Sequence, residues 1–546
     1  MCGRIVSANA AKLKRISKPK PCGESSRGFA LAPKRWRVQF AAMHAPSKSL
    51  WTFLVALALV CGAQVAAALP VQPNILFILT DDQGYGDVGA HGNPILKTPH
   101  LDRLHAQSRR FTDFHVSPTC APTRSALLTG RHEFKNGVTH TILERERLAP
   151  QATTLAQVLR QAGYTTGIFG KWHLGDEPAY WPSRRGFDEM FIHGAGGIGQ
   201  TFPGSGGDAP GNSYFNPAIL HNGQFVKTQG YCTDVFFAQA QKWIASVKGT
   251  KPFYAHIALN APHAPLQVRP EDEARYTGKV DAPTAKFFGM LANIDDNVGR
   301  LLARLQELDI ERQTLVIFMN DNGGTGGVKV HNAGMRGQKV TAWLGGTRAC
   351  SFWRWPGAIE PGDCAALTAH IDFFPTLAAI AGAKPDAVVQ RQVEGRSLVP
   401  LLENPKAPWA ERTLFTHVGR WPKGMAPGEW KFKMGSARTP RWHLVSPDGA
   451  RDAKWQLFDV QADYSEKTDV AAQHPEVVKQ LGARYDAWWA DVQPLLVNEQ
   501  AVGPKINPFK ELYWKQFGGG PTEEELRQMD PSRAAGGAPK KGKKSP

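Results

Sequence analysis

The chain has 546 residues, 42% of them hydrophobic and 21% charged, which allows a large core and excludes a mainly disordered protein. Its formal net charge of +17 suggests a nucleic-acid partner only until the charges are located. Residues 1–68 hold eleven Lys/Arg against Glu24 alone, and 531–546 hold five more (Arg533, Lys540, Lys541, Lys543, Lys544), so the body carries about +2 and offers no basis for nucleic-acid binding.

Residues 1–42 are basic, lack apolar periodicity and precede Met43, a second candidate start. Residues 43–68 have a weakly basic start at Lys48, an apolar run over 50–60 and Ala66-Ala67-Ala68 before Leu69-Pro70. This predicts a signal peptide cleaved after Ala68, and an exported protein, periplasmic or secreted, without stable membrane insertion, because the apolar run is too short to span a bilayer. Val60 before Cys61 argues against a lipoprotein.

The run NILFILTDD at 74–82 is continuously apolar before Asp81 and Asp82, as expected of a strand buried on both faces. The same grammar recurs at FYAHIALNAPHAP (253–265) and at TLVIFMNDNGG (314–324), each ending in polar residues. Helical spacing lies between them, with Leu155, Val158 and Leu159 before Gly163 and a longer apolar pattern over 287–308. Alternating strands and helices predict an α/β catalytic domain over 69–405, with its ligand site beyond the carboxyl ends of the strands. Past 405 the segments shorten, predicting an antiparallel sheet and a terminal helix over 406–520, followed by a disordered basic tail over 521–546. Cys350 and Cys364 are either a bridge or two unrelated buried thiols; the seven cysteines form no C-x-x-C pair.

Asp81, Asp82, Asp321 and Asn322 offer three carboxylates and an amide oxygen, the hard donors that calcium or magnesium prefers. An Asp pair after a strand also serves as a helix cap or loop, and Gly84, Gly86, Gly323 and Gly324 would let the backbone approach an ion closely. Cys120-Ala121-Pro122-Thr123-Arg124 is a short pattern that gains meaning from its continuation, Leu127-Leu128-Thr129-Gly130-Arg131. Together with the TDD motif, this resembles the formylglycine-dependent sulfatases of the alkaline-phosphatase-like superfamily. Gly170-Lys171-Trp172-His173-Leu174-Gly175, Ala261-Pro262-His263-Ala264-Pro265, Arg336-Gly337-Gln338-Lys339 and Leu457-Phe458-Asp459 are similar to further elements of that family, in the same order.

The resemblance implies a large mixed sheet between helices, with a smaller C-terminal antiparallel sheet plus helix. It also implies a sulfuric ester hydrolase whose Cys120 a formylglycine-generating enzyme converts to an aldehyde, with one calcium ion on Asp81, Asp82, Asp321, Asn322 and the converted Cys120. One hydroxyl of the hydrated aldehyde would attack sulfur, and deprotonation of the other would expel sulfate. Arg124 would hold this group, Lys171 and Lys339 the sulfate oxygens, His263 would protonate the leaving oxygen, and His173 would take the second hydroxyl's proton. The expected substrate is a sulfated carbohydrate or aryl sulfate. Phosphonate monoester or phosphodiester hydrolysis, and non-enzymatic binding of sulfated glycans, are the alternatives.

One departure stands out: the family's Glu-Gly-Gly-x-Arg is Leu344-Gly345-Gly346-Thr347-Arg348 here, so any hydrogen bond of that Glu must be replaced or lost. Arg420, Trp421, Arg438, Arg441 and Trp442 either shape a sugar pocket or pack the subdomain, and His132, His193 and His331 are candidate substrate contacts or ordinary loop residues.

Overall fold

The computed structural model describes residues 69–535, apart from 71 and 450; the leader, the signal segment and the end of the basic tail lie outside the described residues. One sheet of ten strands organises the body. Its strands are β1 (Asn74–Thr80), β2 (Arg109–Phe111), β3 (Thr165–Lys171), β4 (Glu189–His193), β5 (Ala218–His221), β6 (Gln224–Lys227), β7 (Phe253–Ala258), β8 (Thr314–Asn320), β9 (Ser351–Arg354) and β10 (Gly362–Cys364). They lie in the order β10-β2-β9-β8-β1-β7-β3-β4-β5-β6. The central strands β8, β1, β7, β3 and β4 run parallel, and antiparallel pairings at β9 and β5 make the sheet mixed.

The apolar runs are continuous because both faces are covered. Ile75, Phe77 and Leu79 of β1 and Leu315, Ile317 and Met319 of β8 enter one core layer. Their alternates Leu76, Ile78, Val316 and Phe318 enter the other, as the two-residue strand period requires. Helix α1 (Cys120–Thr129) packs on the first face; α2 (Cys232–Val247) and α3 (Ala282–Glu307) pack on the second. In register, Thr80 of β1 pairs with Asn320 of β8, so the Asp81-Asp82 and Asp321-Asn322 pairs leave the sheet side by side.

The smaller sheet is an antiparallel meander of β11 (Leu414–His417), β12 (Gly435–Arg438), β13 (Trp442–Ser446) and β14 (Gln456–Asp459), covered by α4 (Pro475–Val492). An aromatic cluster of Phe134, Trp421, Tyr485, Trp488 and Trp489 joins it to the larger body.

Two expectations need correction. The subdomain does not run on to residue 520: Asn498 donates to the carbonyls of Gly137 and Arg147, Asn507 to Asp176, and Phe509 enters the main core. Nor does disorder begin at 521. Helix α5 (Glu523–Met529) starts in a capping box of Thr522 and Glu525, buries Met529, and accepts a hydrogen bond from the Gly204 amide at the Met529 carbonyl. The cap satisfies backbone donors that a charged composition alone leaves out of account. Cys350 and Cys364 are free and buried, so the thiol alternative holds. Among the described residues, no helix is long and apolar enough to cross a membrane.

Candidate active site

Six segments converge beyond the carboxyl ends of the central strands. The turns after β1 and β8 bring Asp81, Asp82, Asp321 and Asn322, all at most 5% exposed. One carboxylate oxygen from each of Asp81, Asp82 and Asp321 lies within 4.8 Å of the others. The flanking glycines serve loop packing: a Cβ on Gly323 would lie 2.1 Å from the Gly345 carbonyl oxygen, and one on Gly84 would lie 3.0 Å from Gly324.

Cys120 opens α1 and is 2% exposed. Its Sγ lies 3.5 Å from Lys339 Nζ and within 4.8 Å of ligand atoms of Asp81 and His263. Burial raises the thiol's pKa, while Lys171 and Lys339 pull it down. Arg124, one turn along α1, donates from Nε and Nη2 to Asp321 Oδ2 at 3.0 and 2.8 Å, and from Nη2 to the Leu259 carbonyl.

Lys171, at the end of β3, donates to Asp81 Oδ2 at 2.5 Å, and Lys339 donates to Asp82 Oδ1. Three carboxylates therefore face three cations: Arg124, Lys171 and Lys339. Burial raises the Asp321 pKa to about 6, with Asp81 adding repulsion and Arg124 opposing it. Asp82 moves the other way: despite burial, Lys339 and His263 hold it far below the usual carboxylate range.

The two histidines are set differently. His173 Nε2 lies 2.7 Å from the Thr141 carbonyl oxygen, which places its proton on Nε2 and leaves the buried Nδ1 without a partner among the described residues. Burial, then Lys171, holds it neutral. His263 Nδ1 lies 2.7 Å from the Ala264 carbonyl oxygen, and its Nε2 is 3.8 Å from Asp82 Oδ2. Burial lowers its pKa to about 4, Asp82 opposing and the two lysines assisting. Asp82 (φ 70°), His173 (φ 57°) and Val340 (φ 68°) beside Lys339 hold left-handed backbone conformations, which cost non-glycine residues about 1–3 kcal/mol each and cluster at functional sites.

The donor set fits a hard divalent cation. Asp81 Oδ1, Asn322 Oδ1 and Arg124 Nη1 are buried with no hydrogen-bond partner among the described residues. Two orphaned hard oxygens beside three clustered carboxylates suit a hard divalent cation better than zinc, although Cys120 and His263, which gather around Asp81, bring one sulfur and one nitrogen to the edge of the same set. A second acidic cluster, His100 with Asp295 and Asp296, has a structural explanation: Asp295 accepts from the His100 and Leu101 amides at the start of helix Pro99–Ala106.

The remaining candidates separate. Trp421 is fully buried and donates to Glu499; Arg438 is 5% exposed and paired with Asp113; Arg441 pairs with Asp459 at the surface, and Trp442 packs on His474. These four pack the subdomain. His132 lies in the aromatic joint against Trp488, His331 bonds the His91 carbonyl, and His193 is buried behind Lys171 with Asp208 Oδ2 3.7 Å from its Nδ1 and no hydrogen bond among the described residues. Arg420 alone of this set reaches the site, through Thr141.

Leu344 is buried with Met335, Trp343 and Phe458, and the carboxylate at this turn comes from a distant residue. Glu466 Oε2 accepts from the Leu344 amide at 2.9 Å while Oε1 meets His443 Nδ1 at 2.5 Å. Sequence reasoning missed Glu466, because nothing local connects it to residue 344.

The chain matches the family model described as Sulfatase over residues 73–383. It is 33% identical to Arylsulfatase A from Bos taurus, covering 81% of this chain and 92% of that protein. Arylsulfatase J from Mus musculus is 29% identical over 80% of this chain and 79% of its own. Among solved structures, Ps i-CgsB in complex with k-i-k-neocarrahexaose is similar at TM-score 0.66 and 26% identity, covering 81% of this chain and 97% of that one.

Proposed function

We propose, from the premise that this chain belongs to the sulfatase family and is a sulfuric ester hydrolase, that it cleaves sulfate esters of carbohydrates with a formylglycine at position 120 and one calcium ion. The observation that carries the reading is the meeting of Asp81, Asp82, Asp321 and Asn322 with Cys120, Arg124, Lys171 and Lys339 at one pole of the sheet. Asp81, Asp82, Asp321, Asn322 and the converted Cys120 would hold calcium, which supplies Lewis-acid polarisation of a sulfate oxygen and favours an ionised nucleophile. Formylglycine, once hydrated, supplies that nucleophilic hydroxyl and a second one whose loss of a proton releases sulfate.

The chain's own residues do the rest. Arg124, anchored on Asp321, fixes the side chain at 120. Lys171 and Lys339 stand beside the carboxylates and present positive charge to the sulfate oxygens, where one preorganised donor contributes a few kcal/mol to the transition state. His263 is neutral at rest; an anionic ester beside it acts against the two lysines that depress it, so substrate binding and its protonation are coupled, and it can then protonate the leaving oxygen from Nε2. His173, its proton fixed on Nε2 by Thr141, keeps a lone pair on Nδ1 to accept a proton.

A sulfated carbohydrate is the favoured substrate because Ps i-CgsB, similar over most of both chains, is complexed with a neocarrahexaose. The segment 43–68 supports export, and a formylglycine-generating enzyme is the implied maturation partner. The test is hydrolysis of an aryl sulfate and of sulfated saccharides before and after chelation. Turnover that is lost with EGTA and restored by calcium is expected; turnover insensitive to every chelator, or phosphonate ester cleavage exceeding that of the matched sulfate, would overturn the reading.

A further inference from the structure

Lys171 and Lys339 already serve the sulfate that is cleaved and Arg124 the side chain at 120, yet a fourth cation, Arg420, stands near His173 with no carboxylate partner among the described residues. Arg420 follows β11, in the C-terminal subdomain, on a loop pressed against residues 139–145. Its amide donates to the Thr139 carbonyl at 3.1 Å, and a Cβ on the preceding Gly419 would lie 2.0 Å from that oxygen, so only glycine permits this approach. Arg145 Nη2 donates to the Trp421 carbonyl at 2.7 Å and Lys423 Nζ to Glu144 Oε2 at 2.9 Å, which pins the loop on both sides of Arg420.

Arg420 Nη2 donates to Thr141 Oγ1 at 2.7 Å, and the Thr141 carbonyl receives His173 Nε2 at the same distance. One residue therefore separates Arg420 from a catalytic histidine. Its Nε is buried without an acceptor among the described residues, where the bond from Nη2 is the side chain's only one. The neighbouring cations differ: Arg145 pairs with Glu499, Lys423 with Glu144, and Arg438 with Asp113. Arg420 also holds a left-handed backbone, φ 61°, as do Asp82 and His173. Burial lowers its pKa, and the groups that act the other way are Cys120 and Asp82, within the site itself.

A half-buried guanidinium stays charged, and leaving it unpaired on a strained, braced loop is unfavourable unless something supplies an anion. Among the described residues, no carboxylate pairs with it. We propose that Arg420 is a specificity-determining residue that binds a second anionic group on the substrate, a sulfate or a carboxylate next to the ester that is cleaved. The preferred substrate is then a doubly anionic saccharide, with the free Nε and Nη1 donors receiving the second anion. This rests on the sulfatase reading of the site.

The experiment compares kcat/KM of the full, mature, calcium-loaded enzyme on three saccharides: a hexose bearing one sulfate, the same hexose bearing two, and the monosulfated hexose linked to a uronic acid. An aryl sulfate with no charge beyond its ester is the control for the site itself. The wild type should prefer one doubly anionic substrate by about tenfold to a hundredfold, the range of a charged hydrogen-bonded contact, and which one it prefers identifies the second anion. Arg420→Gln should collapse that ratio, chiefly through KM, and Arg420→Lys should restore part of it. A wild type without the preference, or an Arg420→Gln variant that lowers all three substrates equally and keeps the ratio, would overturn the proposal. Failure of the wild type on the aryl sulfate as well would instead remove the sulfatase reading, and this inference with it.

Discussion

The catalytic pole and the joint to the C-terminal subdomain both bury polar groups, but they satisfy them in opposite ways. At the pole, carboxylates and cations face each other directly, Asp321 with Arg124, Asp81 with Lys171 and Asp82 with Lys339. At the joint, aromatic packing and hydrogen bonds to neutral groups prevail: His417 bonds the Trp430 carbonyl and the Gly419 amide among Phe134, Trp421 and Trp489, and the ion pair of Arg145 with Glu499 there is also tied to the Trp421 ring nitrogen. Paired buried charge is poor cement, because desolvation offsets much of its attraction, whereas aromatic burial stabilises outright. The difference teaches that the pole is kept for chemistry and the joint for stability, with Arg420 the place where the second reaches into the first.

The largest effect that would sharpen this contrast is at Cys120. Cys120→Ala should cost at least about 10⁴-fold in kcat, as removal of a nucleophile does, with the melting temperature nearly unchanged. Asp321→Ala should be damaging on both counts: it leaves Arg124 buried and unpaired, costing about 3–5 kcal/mol in denaturant unfolding, and it weakens calcium binding in a titration. Lys339→Ala should lower kcat by about 10²–10³-fold, and in calcium-loaded protein, where the ion takes over the neutralisation of Asp82, calorimetry should show a smaller loss of stability than for Asp321→Ala. A large loss of stability in Lys339→Ala would break the division between chemistry and cement.

The smallest effect belongs to the joint and to pH. Burial holds His417 down to about 4, below the ordinary 6.5, with the Trp430 carbonyl opposing. The folded state thus resists a proton that the unfolded chain accepts, so this contribution is complete above about 6.5 and is lost as pH falls toward 4. His417→Gln can keep both hydrogen bonds without titrating. Its melting temperature should therefore fall less steeply than the wild type's across that window, and an equally steep fall would show that the joint is not a source of acid sensitivity.

Much of the pole was legible in the sequence because its residues sit at the ends of apolar runs or inside short motifs. The β1 and β8 runs fixed two strands, and their register then placed four donors together. The joint was far less legible. A tryptophan or arginine in a loop reads equally as a sugar contact or as packing, and only burial separates Trp421 and Arg438 from Arg420. Glu466 could not be read at all, since its partner Leu344 lies 122 residues away and the contact depends on how the subdomain docks. Helix α5 was lost to composition, its capping box hidden in a charged stretch.

The central claim is that position 120 is the nucleophile in converted form. Mass spectrometry of the peptide containing residue 120, from calcium-loaded protein with measured turnover, tests it most directly. An aldehyde in place of the thiol, in proportion to the active fraction, is the expected result. A fully unmodified Cys120 in protein that hydrolyses sulfate esters would contradict the account.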